Sequence, residues 1–121
     1  MAMPNATPVM MKQMTYDEIN AELLKQLPEE IEDSNHYFML AKAASCTCHE
    51  CEMHNSKELA DGLFEISMDE YTHAKFIHNH LMKSCITIPD DIEHKYQALH
   101  NRAEDMYEPI LERRVARMMD K

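Results

Sequence analysis

Apolar residues recur along this chain at alternating steps of three and four, the spacing of one helix face, in three long stretches. The first stripe runs Ile19, Leu23, Leu27, Glu30, Ser34, Tyr37, Ala41, Ala44. The second runs Leu59, Leu63, Ile66, Glu70, His73, Ile77, Leu81. The third runs Ile92, Tyr96, Leu99, Ala103, Met106, Ile110. Start and stop signals bracket them. Thr15-Tyr-Asp-Glu18 has the form of a capping box, and Asn55-Ser-Lys-Glu58 looks like the cap of the second helix. That helix is predicted to end near Lys83, with a turn over Ser84–Ile88. Pro89 is expected as the first residue of the third helix, with Asp90 and Asp91 in its first turn. Pro28 either starts a new helix or kinks one long one. Pro109 is expected to bend or split the third helix, leaving 110–121 as a short, basic, amphipathic packing helix.

Composition supports an all-α reading. The chain has one glycine in 121 residues, and its length allows a single domain. Residues 1–14, with Pro4 and Pro8 and five methionines, read as a flexible Met-rich leader, and residues 15–121 as the helical domain. Twelve basic against 22 acidic residues give a net charge of −10, which argues against a nucleic-acid or anionic-membrane partner. No run reaches the length of a membrane span, and no secretory signal is legible. A cytoplasmic, reducing setting is therefore expected.

Candidate chemistry comes from the polar members of the stripes. Glu70 and His73 fall on the second stripe, and Glu30 on the first. A carboxylate or imidazole turned toward a core costs several kcal/mol unless something pairs it. Glu-x-x-His places both heads one helical turn apart, within reach of one metal ion, as in carboxylate-bridged di-metal bundles. The alternative is a partly exposed polar pair at the edge of the face. Glu29 and Glu32 suit a solvated acidic turn, and Glu32 or Asp33 would substitute for Glu30 if the register differed. Tyr37 is either a core tyrosine or a hydrogen-bond partner of a ligand carboxylate. A short connection makes the first two helices antiparallel, so one glutamate faces one Glu-x-x-His. Di-metal sites need two such sets, and the third helix carries no second copy of the motif. A two-fold dimer would turn one set into two.

A second candidate site is the connection itself. Cys46, Cys48, His49, Cys51 and His54 gather three thiols and two imidazoles. This mixture suits zinc, iron or copper(I), or a redox dithiol, or it is simply a reduced loop. Cys85 sits too far along the second helix to join it in the same chain. His36, His78 and His80 are expected in solvent.

The pattern EEIEDSNHYFMLAKAA followed by LADGLFEISMDEYTHAKFIHNHL resembles the first helix pair of the ferritin-like superfamily, in its rubrerythrin branch. The resemblance covers about residues 28–83 and extends to half-length members such as encapsulated ferritins. Met68 stands where rubrerythrins carry a further glutamate. The resemblance implies a ferritin-like antiparallel hairpin plus a third helix, completing a four-helix bundle by dimerisation. It places metal ligands on Glu30, Glu70 and His73, with Tyr37 nearby. It implies two irons per dimer site, a ferroxidase-type reaction with oxygen or peroxide as partner, and a homodimer or higher oligomer. The competing expectations are a non-catalytic zinc or copper binder using the Cys/His loop, and a structural helical interaction protein.

Overall fold

The computed structural model describes residues 13–46 and 56–119. Most of the Met-rich leader therefore lies outside the described residues. So do Cys48, His49, Cys51 and His54. Cys46 is the last residue of its helix, and its side chain also lies outside the described set. The described residues form three helices and no strand: α1 (Tyr16–Cys46), α2 (Ser56–Lys83) and α3 (Asp90–Met119). No helix among them is long and apolar enough to cross a membrane.

The capping box closes as the sequence predicts. The Thr15 N–H donates to Glu18 Oε1 at 2.8 Å, and the Glu18 N–H donates to Thr15 Oγ1 at 3.1 Å. From there α1 continues for 31 residues through Pro28. Of the two readings of Pro28, one long helix is the observed one. The third helix is likewise continuous over Asp90–Met119, through position 109. The expected split into a separate terminal helix does not occur: a proline removes one hydrogen bond but need not end a helix. Pro89 precedes the first helical turn rather than opening it: its carbonyl accepts the first bond, from the Glu93 N–H at 2.9 Å.

The first two helices form an antiparallel hairpin, and each step forward along α1 is matched by a step back along α2. Asn20 meets His80, Glu30 meets His73, Ser34 meets Ser67 and Phe38 meets Phe64. At the centre the Ser34 hydroxyl donates to the Ser67 carbonyl, and the Ser67 hydroxyl donates to the Ser34 carbonyl, both at 2.8 Å. Small residues let the backbones approach that closely, and Ala41, Ala60 and Ala74 are all buried on the same two helices. The third helix lies across the hairpin and completes a core of Leu27, Ile31, Phe64, Met68, Tyr71, Ile77, Leu81, Tyr96 and Leu99.

The buried line of α2 matches the predicted one at Ile77 and Leu81 and departs from it nearer the helix start. It runs Ala60, Phe64, Ser67, Met68, Tyr71, Ala74, Ile77, Leu81. On the predicted stripe Leu59 is 56 % and Ile66 40 % exposed. The reason is geometric. Each residue turns a helix by ~100°, and α2 packs on both α1 and α3, so its buried face centres one position past the stripe. Leu59, Ile66, Glu70 and His73 of the stripe thus lie at the rim of the hairpin on the side away from α3, while Ile77 and Leu81 of the same stripe stay in the core.

After Lys83 the chain reverses in a Schellman turn. The Ile86 N–H bonds to the Leu81 carbonyl at 3.0 Å, and the Cys85 N–H to the Met82 carbonyl at 3.1 Å. Cys85 sits at the position that favours glycine, with φ of 59°. A Cβ in this left-handed region costs on the order of 1 kcal/mol. Cys85→Gly should therefore raise stability by about 1 kcal/mol, read as a higher urea midpoint at unchanged slope.

Candidate metal centre

On the hairpin rim away from α3, three side chains converge. Glu30 comes from the middle of α1, one turn past the buried Leu27. Glu70 and His73 come from α2, one turn apart. A donor atom from each lies within 4.8 Å of the others, and this is a group that could hold a metal ion. His73 Nδ1 is 3.4 Å from Glu30 Oε1 and 3.4 Å from Glu70 Oε1. The Glu30 side chain is 13 % exposed and that of Glu70 23 %, whereas His73 is 59 % exposed. The carboxylates thus sit at the floor of a groove and the imidazole at its lip.

Two carboxylates this close cannot both carry a full charge without cost. Burial pushes the Glu30 carboxyl up, but hydrogen bonds from Glu70 and Gln26, together with the His73 imidazole, outweigh it and hold Glu30 below its ordinary range. The Gln26 amide donates to Glu30 Oε2 at 3.1 Å. Glu70 moves the other way. Its hydrogen bond to Glu30 raises it, and burial and the charges of Glu30 and Asp33 add to the rise, against a lowering by His73. The two shifts run in opposite directions, Glu30 toward the charged form and Glu70 toward the neutral one.

One atom in the cluster is left over. Glu30 Oε1 is sequestered from solvent and accepts no hydrogen bond, since His73 Nδ1 stands beyond hydrogen-bond length. A buried carboxylate oxygen without a donor is unfavourable by ~1–3 kcal/mol. A cation would satisfy it. The donor set, two carboxylate oxygens and an imidazole nitrogen, suits iron, manganese or zinc. The 3.4 Å separations are near the ~3 Å between adjacent ligands of an ion bound at ~2.1 Å. The residues present therefore fit a metal ion.

Three of the predicted site residues are brought together, then: Glu30, Glu70 and His73. Tyr37 lies on the same side of α1, half-buried, but makes no hydrogen bond to them; its ring meets His36 edge-on at 5.8 Å. The fallback Asp33 reaches the cluster only through its charge.

The tyrosine that does engage polar partners is Tyr71, on the neighbouring face of α2 toward α3. Its hydroxyl donates to Glu104 Oε2 at 2.9 Å, and His100 Nδ1 stands at 2.7 Å, where it donates if Glu104 is ionised. Burial first, then the bond to Glu104, pushes the phenol well above its usual range. Next to it Tyr96 stacks on His78, ring centroids 3.8 Å apart, and on His100 at 5.9 Å. The expectation that His78 and His80 are solvated fails. His78 is 7 % exposed and donates from Nε2 to Glu93 Oε1 at 2.9 Å, and His80 bonds Asn20 Oδ1 at 2.8 Å. A stripe count misses both because their partners are more than a dozen residues away in sequence.

Glu93 is held below the ordinary carboxylate range by the hydrogen bond from Gln97, with His78 adding to it and burial opposing. A lowered folded value gives stability that is present above the unfolded value of about 4.5 and is lost as pH falls through the folded one. Stability should therefore drop in acid, and Glu93→Gln should make that drop shallower below about pH 4.5 while costing little slope above it. Urea midpoints taken across the acid range check this.

Comparison of the chain with family models, with curated proteins and with solved structures finds no match.

Proposed function

We propose that this protein is a di-metal carboxylate protein of ferritin-like type, whose centre is assembled from Glu30, Glu70 and His73 of two chains across a homodimer. The observation that carries the reading is the convergence of these three donors on one half-open groove, with Glu30 Oε1 buried and unsatisfied. One chain supplies two carboxylates and one imidazole, which is half of what a di-metal centre needs. A two-fold axis through the groove would supply the other half and complete a four-helix bundle from two hairpins.

The groove has the surface for such a contact. The exposed apolar residues of the two stripes flank the ligands: Ile19 at 39 %, Ile66 at 40 % and Leu59 at 56 % exposure. The third helix covers the other side of the hairpin and leaves this side open. A partner hairpin would bury these residues and deepen Glu30 and Glu70 in a medium where charge on the metal counts for more.

Within the site each residue has a distinct task. Glu30 and Glu70 would bind the cation with their carboxylate oxygens. His73 offers Nδ1, the nitrogen nearest both carboxylates, and keeps its proton on Nε2. Gln26 holds Glu30 in place from one turn away. Iron bound here would supply electrons to oxygen or peroxide as it passes from ferrous to ferric, a ferroxidase-type reaction.

Two outcomes are expected. Anaerobic ferrous addition followed by native mass measurement should give about two irons per dimer, and none in Glu70→Ala/His73→Ala. Iron retained by the double variant would refute the assignment. Ile66→Lys, which places a charge in the apolar rim without touching a ligand, should shift the protein to monomer and abolish paired metal binding. Helix content by circular dichroism should be unchanged, because Ile66 is outside the core of a single chain.

A further inference from the structure

The face of α2 toward α3 carries a second convergence of donor atoms, of different chemistry. Tyr71 Oη stands 2.7 Å from His100 Nδ1 and 2.9 Å from Glu104 Oε2. The phenol comes from α2. The imidazole and the carboxylate come from α3, four residues apart and therefore on one face of that helix. Tyr71 is 4 % exposed, whereas the Glu104 side chain is 51 % exposed. The cluster thus has a fixed inner oxygen and an outer side open to solvent.

A cation is already drawn to this place. Lys75 Nζ lies 3.9 Å from the same Glu104 oxygen and 5.9 Å from the centroid of the Tyr71 ring. That separation is too long for a hydrogen bond, so the ammonium is attracted without being ligated. Its side chain is half-exposed and can swing away. We propose that Tyr71, His100 and Glu104 form a ferric-ion site, separate from the group at Glu30, Glu70 and His73. Its ligands are the phenolate oxygen of Tyr71, Nδ1 of His100 and a carboxylate oxygen of Glu104, with water in the outer positions.

The chemistry selects this class of ion. The 2.7 and 2.9 Å separations are near the ~3 Å between adjacent ligands of an ion bound at ~2.1 Å. Phenolate and carboxylate are hard, anionic oxygens, which suit iron in its oxidised form better than a soft ion that prefers thiolate. Without metal, burial and the bond to Glu104 keep the phenol protonated. A trivalent ion between the same three donors replaces that proton, which leaves to solvent, and the iron keeps its oxidation state throughout. A divalent ion, with less charge, competes poorly for the phenolate. The imidazole is held ready for this role. Its ring stacks on Tyr96 at 5.9 Å, Tyr96 stacks on His78 at 3.8 Å, and His78 is fixed by Glu93. The site stands without the di-metal reading, since it shares no ligand with it.

Ferric nitrilotriacetate is the probe, titrated into the full chain. A phenolate bound to ferric iron gives a visible charge-transfer band, and the band should saturate at about one ferric ion per chain. Zinc should give none. Excitation within the band should enhance tyrosinate ring vibrations in the Raman spectrum, a readout that needs no variant. Tyr71→Phe should abolish the band. Glu104→Gln, at a half-exposed position, should weaken ferric binding by about tenfold or more, with helix content checked in parallel. Lys75→Gln removes the competing charge and should tighten binding by about twofold or more. Glu70→Ala/His73→Ala should keep the band, which separates this site from the di-metal centre. No band or no tyrosinate vibrations in the wild-type protein, an unchanged band in Tyr71→Phe, equal binding in Glu104→Gln, or loss of the band in Glu70→Ala/His73→Ala would each overturn the proposal.

Discussion

The reciprocal hydrogen bonds between Ser34 and Ser67 are the constraint on which the rest depends. Each hydroxyl donates to the other helix's carbonyl at 2.8 Å, in a fully buried position where any unmade bond would be unfavourable by ~1–3 kcal/mol. Two such bonds fix both the distance and the register of α1 against α2. A slip by one helical turn would break both and leave two hydroxyls buried without partners. Ser34 lies one turn beyond Glu30, and Ser67 one turn before Glu70. The clasp therefore decides that Glu30 faces Glu70 and His73, rather than apolar residues a turn away. Apolar packing alone would specify this less sharply, because Leu and Ala contacts tolerate sliding.

The third helix is joined by different means. Its contacts with α2 include a ladder of aromatic and polar groups: His78 with Glu93, Tyr96 between His78 and His100, and Tyr71 with His100 and Glu104. Its link to α1 is Arg102 with Asn35 and Phe38. Such groups are directional, so they set the position of α3 as the serines set that of the hairpin. One consequence reaches the candidate centre. Because α3 takes the face of α2 that carries Tyr71 and His78, the neighbouring face with Glu70 and His73 stays open.

Much of this was legible in the sequence, for reasons that are local. The capping box at Thr15, the end of α2 at Lys83 and the third stripe from Ile92 to Met106 all follow from contacts within a few residues. Glu30, Glu70 and His73 were legible because helical spacing put polar groups in line with apolar ones, and the structure brings them within ligand distance. What failed was what depends on a third body. The stripe of α2 marks a true helix face, but which face is buried depends on where α3 docks, and no period encodes that. The pairing of His78 with Glu93 and the choice of Tyr71 over Tyr37 as the hydrogen-bonded tyrosine fail for the same reason. The prolines fail differently. Pro28 and Pro109 carry a real local penalty, yet the helix runs on through both; around Pro28 the buried Leu27 and Ile31 hold it against the rest of the core.

The exposed part of the α2 stripe bears on function more than its buried part does. A stripe of Leu59, Leu63, Ile66, Glu70 and His73 buried in a monomer would need an explanation for its polar members alone. The same stripe at the rim needs one for Leu59 and Ile66 as well, since they are exposed in a single chain. A second hairpin accounts for both at once: it would cover the leucine and isoleucine, and bring a matching pair of carboxylates and an imidazole to the ones already there. A solvated polar pair accounts for Glu70 and His73 but leaves the apolar residues in water. The buried, unsatisfied oxygen of Glu30 weighs the same way, because a solvated pair would have no reason to sequester it. On these grounds the dimeric metal centre explains more of the surface than either a core polar pair or an inert helical hairpin.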